Sequence, residues 1–150
     1  MRTHFAVAAL VVALFPTFAR AQAPALTWGP PPAVFAPGAK FTVLQGDPGK
    51  TGVYAVRLDL PDGYRIAPHY HPTDEHITVI SGTFLVGMGD SLDVAKTTAL
   101  PAGGFITAPA SMHHYAVARG RTVVQVHGMG PFALTYVNAK DDPRNTAMAR

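Results

Sequence analysis

The strongest constraint on the fold is a rhythm of short apolar runs, closed by turn residues at intervals of about ten positions. The runs are rich in β-branched and aromatic residues and include FTVL, VYAVRLDL, HITVI, TFLVG and TVVQVHG. No segment carries apolar residues at the 3.6-residue spacing of a long amphipathic helix. Many short strands with frequent turns indicate an all-β sandwich or barrel, which we expect to span residues 40–138.

Two turns and one strand within that series matter for the topology. The sequence predicts a turn at Ser81-Gly82, between HITVI and TFLVG, and another at residues 119–121, between HHYAVA and TVVQVHG. It also predicts a strand from Ser91 to Ala99, ahead of a turn that starts at Pro101. Each of these runs is therefore expected to be a separate strand.

The first 21 residues have the character of an export signal. Arg2 and His4 precede a 14-residue apolar run, residues 5–18, and the segment ends in Ala-Arg-Ala. We predict a signal peptide over residues 1–21, cleaved near Ala21, and a mature protein that is periplasmic or secreted. The alternative is a membrane anchor, but a span needs about 20 apolar residues and Pro16 interrupts this run. We therefore expect no membrane anchor in the mature form.

Charge and cysteine content narrow the partners and the chemistry. The chain carries a net charge of +3, but cleavage removes Arg2 and Arg20 and no acidic residue, which leaves +1. We therefore expect no nucleic-acid partner. The chain has no cysteine, which excludes disulfides, thiolate nucleophiles and Cys-ligated metals. Any metal has to be held by nitrogen and oxygen.

A proline-rich segment and a polar segment flank the predicted barrel. Residues 22–39 contain five prolines and no charged side chain, which indicates an extended arm. Because Trp28, Val34 and Phe35 would otherwise be exposed, we expect the arm to pack on the barrel or on a second copy in a homodimer; a disordered leader is the alternative. Residues 139–150 are predicted to form a polar surface strap with a loose end.

The candidate chemistry is concentrated in a cluster of histidines. His69, His71 and His76 fall within eight residues. In a strand, His69 and His71 point to the same face, and Glu75 follows a Pro-Thr-Asp turn that can bring its carboxylate back to them. Two imidazoles and a carboxylate suit a divalent first-row metal. A solvated strand or a core histidine pair would show the same His-x-His spacing.

The spacing around these residues resembles the first motif of the cupin superfamily. In that motif a Gly is followed by His-x-His, a Glu and a second Gly at fixed separations, and this chain carries them as Gly63, His69-x-His71, Glu75 and Gly82. All five fixed positions of the motif match this sequence. By residue frequencies alone, such a match would occur at well under about one in a million starting positions in a sequence.

A second segment is similar to the second cupin motif. Gly103 and Pro109 stand at the motif's separation, and His114 occupies the ligand position, five residues beyond the proline. His113 is the competing candidate, but strand alternation would send it to the opposite face. The chain departs from the motif at Ser111, where a Gly is usual, and at Ala118, where the motif ends in Asn.

The resemblance covers residues 40–138 and is closest to small, exported, single-domain cupins. It implies a double-stranded β-helix, or jelly-roll, barrel that holds one divalent transition metal through His69, His71, Glu75 and His114. Four protein ligands would leave two positions of an octahedral ion for water, substrate or dioxygen. Mn or Fe is favoured, and Zn, Ni, Co or Cu would also fit.

Cupins with this ligand set include dioxygenases, oxalate-degrading enzymes and isomerases, and the resemblance does not choose among them. We expect dioxygenase-type oxidoreductase chemistry ahead of isomerase or hydrolase chemistry. In that function Glu75 would be the catalytic residue, leaving the metal to act as a base. The alternative is a non-catalytic module that binds or senses a metal or a small ligand. Few charged groups are predicted inside the barrel apart from the metal ligands, so the expected partner is a small neutral or aromatic molecule.

The polar residues next to the motifs are predicted to have supporting roles. We expect His76 to face away from the metal, and His127 to be structural or to line a pocket, with metal ligation as the alternative for His127. Tyr70 and Tyr115 are predicted to pack in the core. Asp74 is predicted to be a turn residue, with a general-base role as the alternative.

Overall fold

The computed structural model describes residues 25–147, so the predicted signal peptide at residues 1–21 lies outside the described part of the chain. That part consists mainly of β-strands: β1 (Lys40–Gln45), β2 (Gly52–Leu60), β3 (Arg65–Tyr70), β4 (Glu75–Met88), β5 (Thr98–Pro101), β6 (Phe105–Ala108), β7 (His114–Gly130) and β8 (Thr135–Tyr136). Two single-turn 3-10 helices, Val94–Lys96 and Ala139–Asp141, and the short helix α1 (Pro143–Ala147) complete the elements. Among these described residues, no helix has the length and apolar character needed to cross a membrane.

All strand pairs are antiparallel, and the two long strands β4 and β7 give the sheet its shape. The first half of β4 pairs with β6 and with the second half of β7, whereas its second half pairs with β5 and with the first half of β7. β1 and β2 extend one side of this arrangement, and β3 and β8 extend the other. The two sides enclose one core. This architecture confirms the predicted jelly-roll barrel.

Both long strands continue where the sequence predicts turns. β4 bends at Gly82, which has a φ of 79°, with register shifts on either side of Ser81. β7 passes through Gly120, which has a φ of 70°. The predicted strand breaks at residues 81–82 and 119–121 are therefore wrong. A glycine in the left-handed region bends a strand while the pairing on each side of the bend continues.

The predicted strand from Ser91 to Ala99 is also wrong over most of its length. The Asp93 carboxylate accepts a hydrogen bond of 3.0 Å from the backbone N–H of Ala95 and begins a 3-10 turn. A side chain that bonds its own local backbone competes with strand pairing. Strand β5 consequently starts only at Thr98.

The core between the two sides is built from alternate, inward-facing aliphatic and aromatic residues. On β2 and β7 these include Tyr54, Val56, Leu58, Leu60, Val124 and Val126, all at most 4% exposed. Each buried aliphatic side chain stabilises the fold by about 1.5–3 kcal/mol relative to exposure. On β4, Glu75 shares the inward face with the buried Ile77 and Val79. The register that buries the aliphatic residues therefore also carries the carboxylate of Glu75 into the interior.

The arm preceding β1 packs on the barrel. Gly29 and Phe41 exchange two backbone hydrogen bonds of 2.9 Å, so the arm lies beside β1 at this point. Further along, Phe35 is buried, and its ring stacks on Phe132 with a centroid distance of 6.2 Å. The apolar side chain of Phe35 is thus part of the barrel's core.

Two tyrosine hydroxyls hold the backbone on either side of Phe35. Tyr64 donates to the carbonyl of Ala36 at 2.6 Å, and Tyr136 donates to the carbonyl of Val34 at 2.7 Å. Burial is the main cause that raises the pKa of Tyr136 to about 12. This hydroxyl therefore remains protonated and able to donate throughout the physiological pH range.

The segment after β8 runs along the surface as a 3-10 turn and helix α1. Asn138 caps the turn by accepting from the N–H of Lys140 at 3.0 Å. Asp142 is buried and forms a paired contact with Arg144, with an Nη2–Oδ2 distance of 2.6 Å. Both contacts are local and hold the turn and the start of the helix in shape.

Candidate metal centre

Four side chains converge inside the barrel near the ends of three strands. His69 lies on β3, His71 directly follows that strand, Glu75 begins β4, and His114 begins β7. Strand pairing places His69 directly opposite His114. One donor atom from each of the four side chains lies within 4.8 Å of all the others. The structure thus brings together the four residues that the motifs single out.

A short turn aligns His71 and Glu75. Asp74 accepts a hydrogen bond of 2.8 Å from the N–H of Ala110, and the carbonyl of His71 accepts one of 2.8 Å from Ser111. Ser111 has a φ of 62° and is the one non-glycine residue with positive φ within residues 25–147. Ser111 adopts the left-handed conformation at the position where the cupin motif usually has glycine. The turn at Ser111 therefore forms even though serine replaces glycine.

Each of the three imidazoles is oriented by a backbone carbonyl. The Nδ1 atoms of His69, His71 and His114 lie 2.7, 2.7 and 2.9 Å from the carbonyl oxygens of Ala67, Ala133 and Met112, respectively. A carbonyl oxygen only accepts, so each Nδ1 carries the proton and donates it. In a neutral ring the Nε2 atom then carries the lone pair, which is the arrangement that metal-ligating histidines use.

The Nε2 atoms of His71 and His114 each lie 3.4 Å from Oε2 of Glu75. Both Nε2 atoms are buried without a hydrogen-bond partner. Two lone pairs facing a carboxylate oxygen repel one another unless a positive charge lies between them. Because orphaned buried acceptors are costly, the cluster fits a bound cation, and its nitrogen and oxygen donors suit a divalent first-row metal.

Burial and mutual contact set the protonation of the cluster. The pKa of His69 is lowered to about 3, mainly because the ring is buried, and the two other imidazoles lower it further. Burial opposes protonation of His71 as well, but the carboxylate of Glu75 outweighs it and raises the pKa of His71. Burial likewise favours the neutral form of Glu75, yet His114 and His71 together lower its pKa. At neutral pH the site therefore holds a neutral His69 and an ionised Glu75.

The interior next to the four residues is apolar and nearly filled. The cavity beside His69, Glu75 and His114 has a volume of about 20 Å³, and no Lys or Arg lines it. Aliphatic and aromatic side chains form its walls, including Leu58, Ile66, Ile77, Phe84, Val86 and Phe35. This volume accommodates about one water molecule.

Several aromatic residues near the cluster were not indicated by the motifs. Phe132 lies beside His71, with a centroid distance of 5.5 Å, and Tyr136 lies 6.1 Å from His69. Burial, together with the charge of Glu75, raises the pKa of Tyr54 to about 12. The alternation of β2 predicts that Tyr54 faces inward, but no local spacing relates Phe132 or Phe35 to the histidines.

The other residues singled out from the sequence lie outside the cluster. His113 contacts Oδ1 of Asp90 through Nδ1 at 2.6 Å and stacks on Tyr70. Tyr115 is 1% exposed, as expected for core packing, whereas Tyr70 is only partly buried, so its predicted core position is wrong. Because Tyr70 ends β3 at the barrel rim, its ring has an exposed neighbour instead of the core.

The remaining candidates, Asp74, His76 and His127, lie at positions that fit the supporting roles predicted from the sequence. Asp74 has the turn role described above. His76 and His127 lie on the outer face of the sheet and line a shared surface cleft.

The chain belongs to the cupin superfamily, because residues 18–133 match the family described as the ChrR cupin-like domain. This match covers most of the chain and confirms the resemblance carried by the two motifs. No curated protein matches the chain significantly in sequence.

Solved structures share the fold at low sequence identity. A candidate acetylacetone dioxygenase from Methylibium petroleiphilum PM1 is 22% identical, with 79% of each chain covered and a TM-score of 0.61. The polyketide cyclase RemF from Streptomyces resistomycificus is 17% identical over 82% of this chain and 87% of its own, with a TM-score of 0.65. A variant of salicylate 1,2-dioxygenase from Pseudoaminobacter salicylatoxidans is 18% identical over 71% of this chain and 31% of its own, with a TM-score of 0.58. These likenesses establish the fold, whereas function depends on the residues of the site.

Proposed function

We propose that this chain is a metal-dependent cupin that catalyses a dioxygenase-type oxidation of a small neutral organic substrate. The observation that carries the proposal is the pair of buried, unpartnered Nε2 atoms aimed at the carboxylate of Glu75. His69, His71, Glu75 and His114 would hold Mn or Fe. The metal, when bound, would supply Lewis acidity and two open positions for substrate and dioxygen.

The protein's own contribution begins with the orientation of the ligands. Three backbone carbonyls fix the three imidazole rings in the Nε2-ligand tautomer, so the lone pairs are aimed before any metal arrives. The apolar walls exclude bulk water from the site, which strengthens every electrostatic interaction within it. This environment is suited to a reactive, oxygen-sensitive substrate anion.

Glu75 is the proposed base. Its Oε2 atom lies 3.4 Å from Nε2 of both His71 and His114, and its lowered pKa keeps the carboxylate ionised in the resting enzyme. The carboxylate would accept the acidic C–H or O–H proton of the substrate and become a neutral carboxylic acid. Tyr54, whose pKa is raised to about 12, stays protonated beside it and does not compete for that proton.

The lining of the interior indicates the substrate class. Without a Lys or Arg beside the cluster, a polyanionic substrate would find no counter-charge there. Enolisable diketones and dihydroxylated aromatics are neutral and largely apolar, and each carries an acidic proton. The name of one structural neighbour, a candidate acetylacetone dioxygenase, supports including an enolisable diketone in the test.

A second candidate function is non-catalytic binding or sensing of a metal or small ligand. It is favoured by the nearly filled interior, which at about 20 Å³ leaves no room for an organic substrate without movement of the walls. The two functions differ in one measurable property, which is turnover.

Oxygen uptake by the metal-loaded protein separates the two functions. The protein is reconstituted with Fe(II) or Mn(II) and given acetylacetone and catechol, with gentisate and oxalate as the charged comparisons. We expect uptake with a neutral substrate and none with either charged compound. Glu75→Gln should lower turnover by about 10²–10⁴-fold, the range for loss of a general base. His113→Gln, outside the cluster, is the control and should keep both metal and turnover.

Absence of oxygen uptake across the panel, with metal bound, would leave the binding function as the better account. Full metal occupancy together with full turnover in Glu75→Gln would show that Glu75 is not the base.

We also propose that the protein is exported. The supporting observations are the basic start, the apolar run over residues 5–18 and the Ala-Arg-Ala end of the leader. N-terminal sequencing of protein from the periplasmic fraction should begin near Gln22. An intact Met1 on protein confined to the cytoplasm would contradict export.

A further inference from the structure

Two histidines lie side by side on the outer face of the sheet. His76 on β4 and His127 on β7 are directly opposite each other in register. Their ring centroids are 4.9 Å apart, with an angle of 29° between the ring planes. Their neighbours Glu75 and Val126 face inward, so alternation turns both imidazoles outward. The pair is therefore separated from the inner cluster by the sheet itself.

The ring of His76 is held in place by its neighbours. Its Nδ1 lies 2.9 Å from Oγ1 of Thr107 on β6. The ring of Phe105 is nearly parallel to it, with a centroid distance of 6.2 Å and an angle of 12°. When Thr107 accepts the Nδ1 proton, Nε2 of His76 carries a lone pair that is free for a metal. A side chain held in this way loses little further freedom on binding.

His127 supplies the second nitrogen. Within residues 25–147 its side chain contacts the ring of His76 and forms no side-chain hydrogen bond, so the ring can turn about χ2 without losing one. Metal–nitrogen bonds of about 2 Å require the two coordinating nitrogens to lie roughly 3 Å apart. A rotation of the His127 ring that points one of its nitrogens towards Nε2 of His76 would bring the two donor atoms closer together than the ring centroids, which are 4.9 Å apart.

The surroundings of the pair favour one metal in particular. The two histidines border a cleft of about 530 Å³ that is also lined by Asp74 and Met129, with no Lys or Arg among its walls. Met129 follows His127 by two residues on β7, so its side chain lies on the same face, and it is 49% exposed. Imidazole binds Cu(II) more strongly than the other divalent first-row ions, and a thioether favours Cu(I).

We propose that His76 and His127 form a second metal site that binds one copper ion, with Met129 as a neighbouring soft donor. The site uses only outward-facing side chains, so it stands independently of the function proposed for the inner cluster. It would let the protein carry copper on its surface while the inner site holds a different metal.

Copper titration of the untagged apo-protein tests this site. Bound copper is counted by elemental analysis after removal of excess ion, and Cu(II) coordination is followed by electron paramagnetic resonance. We expect the double variant His76→Gln with His127→Gln to bind one copper ion fewer than the wild type and to lose a signal with imidazole nitrogen hyperfine structure.

The control changes the next outward-facing pair on the same two strands, Thr78→Ala with Gln125→Ala. It should bind as much copper as the wild type. Circular dichroism checks that each variant is folded. If the folded histidine double variant binds as many copper ions as the wild type, with the same resonance signal, the proposal is wrong. His71→Ala measures the copper that the inner cluster binds, because His71 belongs to that cluster and not to the outer pair. The two metal sites are therefore tested separately.

Discussion

Replacement of Phe35 by alanine tests whether the arm closes the barrel interior. Phe35 is 8% exposed, stacks on Phe132 and lines the cavity beside His69, Glu75 and His114. A buried phenylalanine covers about 150 Å² or more. Loss of most of that area at about 25 cal/mol per Å² costs roughly 3 kcal/mol, the lower end of the range for Phe→Ala.

Urea unfolding and thermal unfolding measure this cost. For a domain of this size, a loss of roughly 3 kcal/mol lowers Tm by about 10 °C. In the metal-loaded protein, the same variant should release metal to a chelator faster, because the truncated side chain opens the interior to water. Val43→Ala, at a site that is 46% exposed on β1, is the control and should change stability by less than about 0.5 kcal/mol. A stability within about 1 kcal/mol of the wild type, with unchanged metal release, would refute the role of Phe35 in closing the interior.

Two further substitutions test the supports of the fold. Asp59 is buried, and the hydrogen bonds from Arg121 lower its pKa, so Asp59→Asn should cost about 1–2 kcal/mol at pH 7. Because the pKa of Asp59 is lowered on folding, its carboxylate stabilises the folded state at pH values above the unfolded pKa of about 3.9. In urea unfolding, the cost of Asp59→Asn should therefore shrink as the pH falls below that value. A cost that stays constant with pH would contradict the role assigned to this ion pair. A Cβ on Gly87 would overlap the ring of buried Tyr115, so thermal unfolding of Gly87→Ala should show a loss of about 1–3 kcal/mol, whereas Gly29→Ala, with nothing near its Cβ, should be close to neutral. Equal melting temperatures for the two glycine variants would count against the packing at Tyr115.

The inner cluster is predictable from the sequence because most of it is local. His69, His71 and Glu75 lie on one strand–turn–strand segment, where a two-residue spacing and a short turn determine which side chains meet. His114 is distant in sequence, and only the second cupin motif points to it. The turn at Ser111 shows how a departure from the motif can preserve its geometry, because serine adopts the conformation that glycine usually supplies.

The two wrong strand breaks arise where long-range pairing decides the outcome. The sequence around Gly82 and Gly120 is typical of turns, but whether a glycine ends a strand or bends it depends on the strands that pair with it. The contact between Phe35 and Phe132 has the same origin, because the arm meets the residues after β7 only in the folded barrel. The outward histidine pair likewise depends on the register of β4 against β7.

The metal content of the protein tests the central claim most directly. Elemental analysis should use protein from its native compartment, because affinity alone in a test tube favours copper and zinc. We predict about one Mn or Fe per chain, the loading expected for a single open metal site. His69→Ala and His114→Ala should lose this metal and His113→Ala should retain it. Retention in His114→Ala with loss in His113→Ala, or no Mn or Fe in the wild type, would contradict the proposed metal centre.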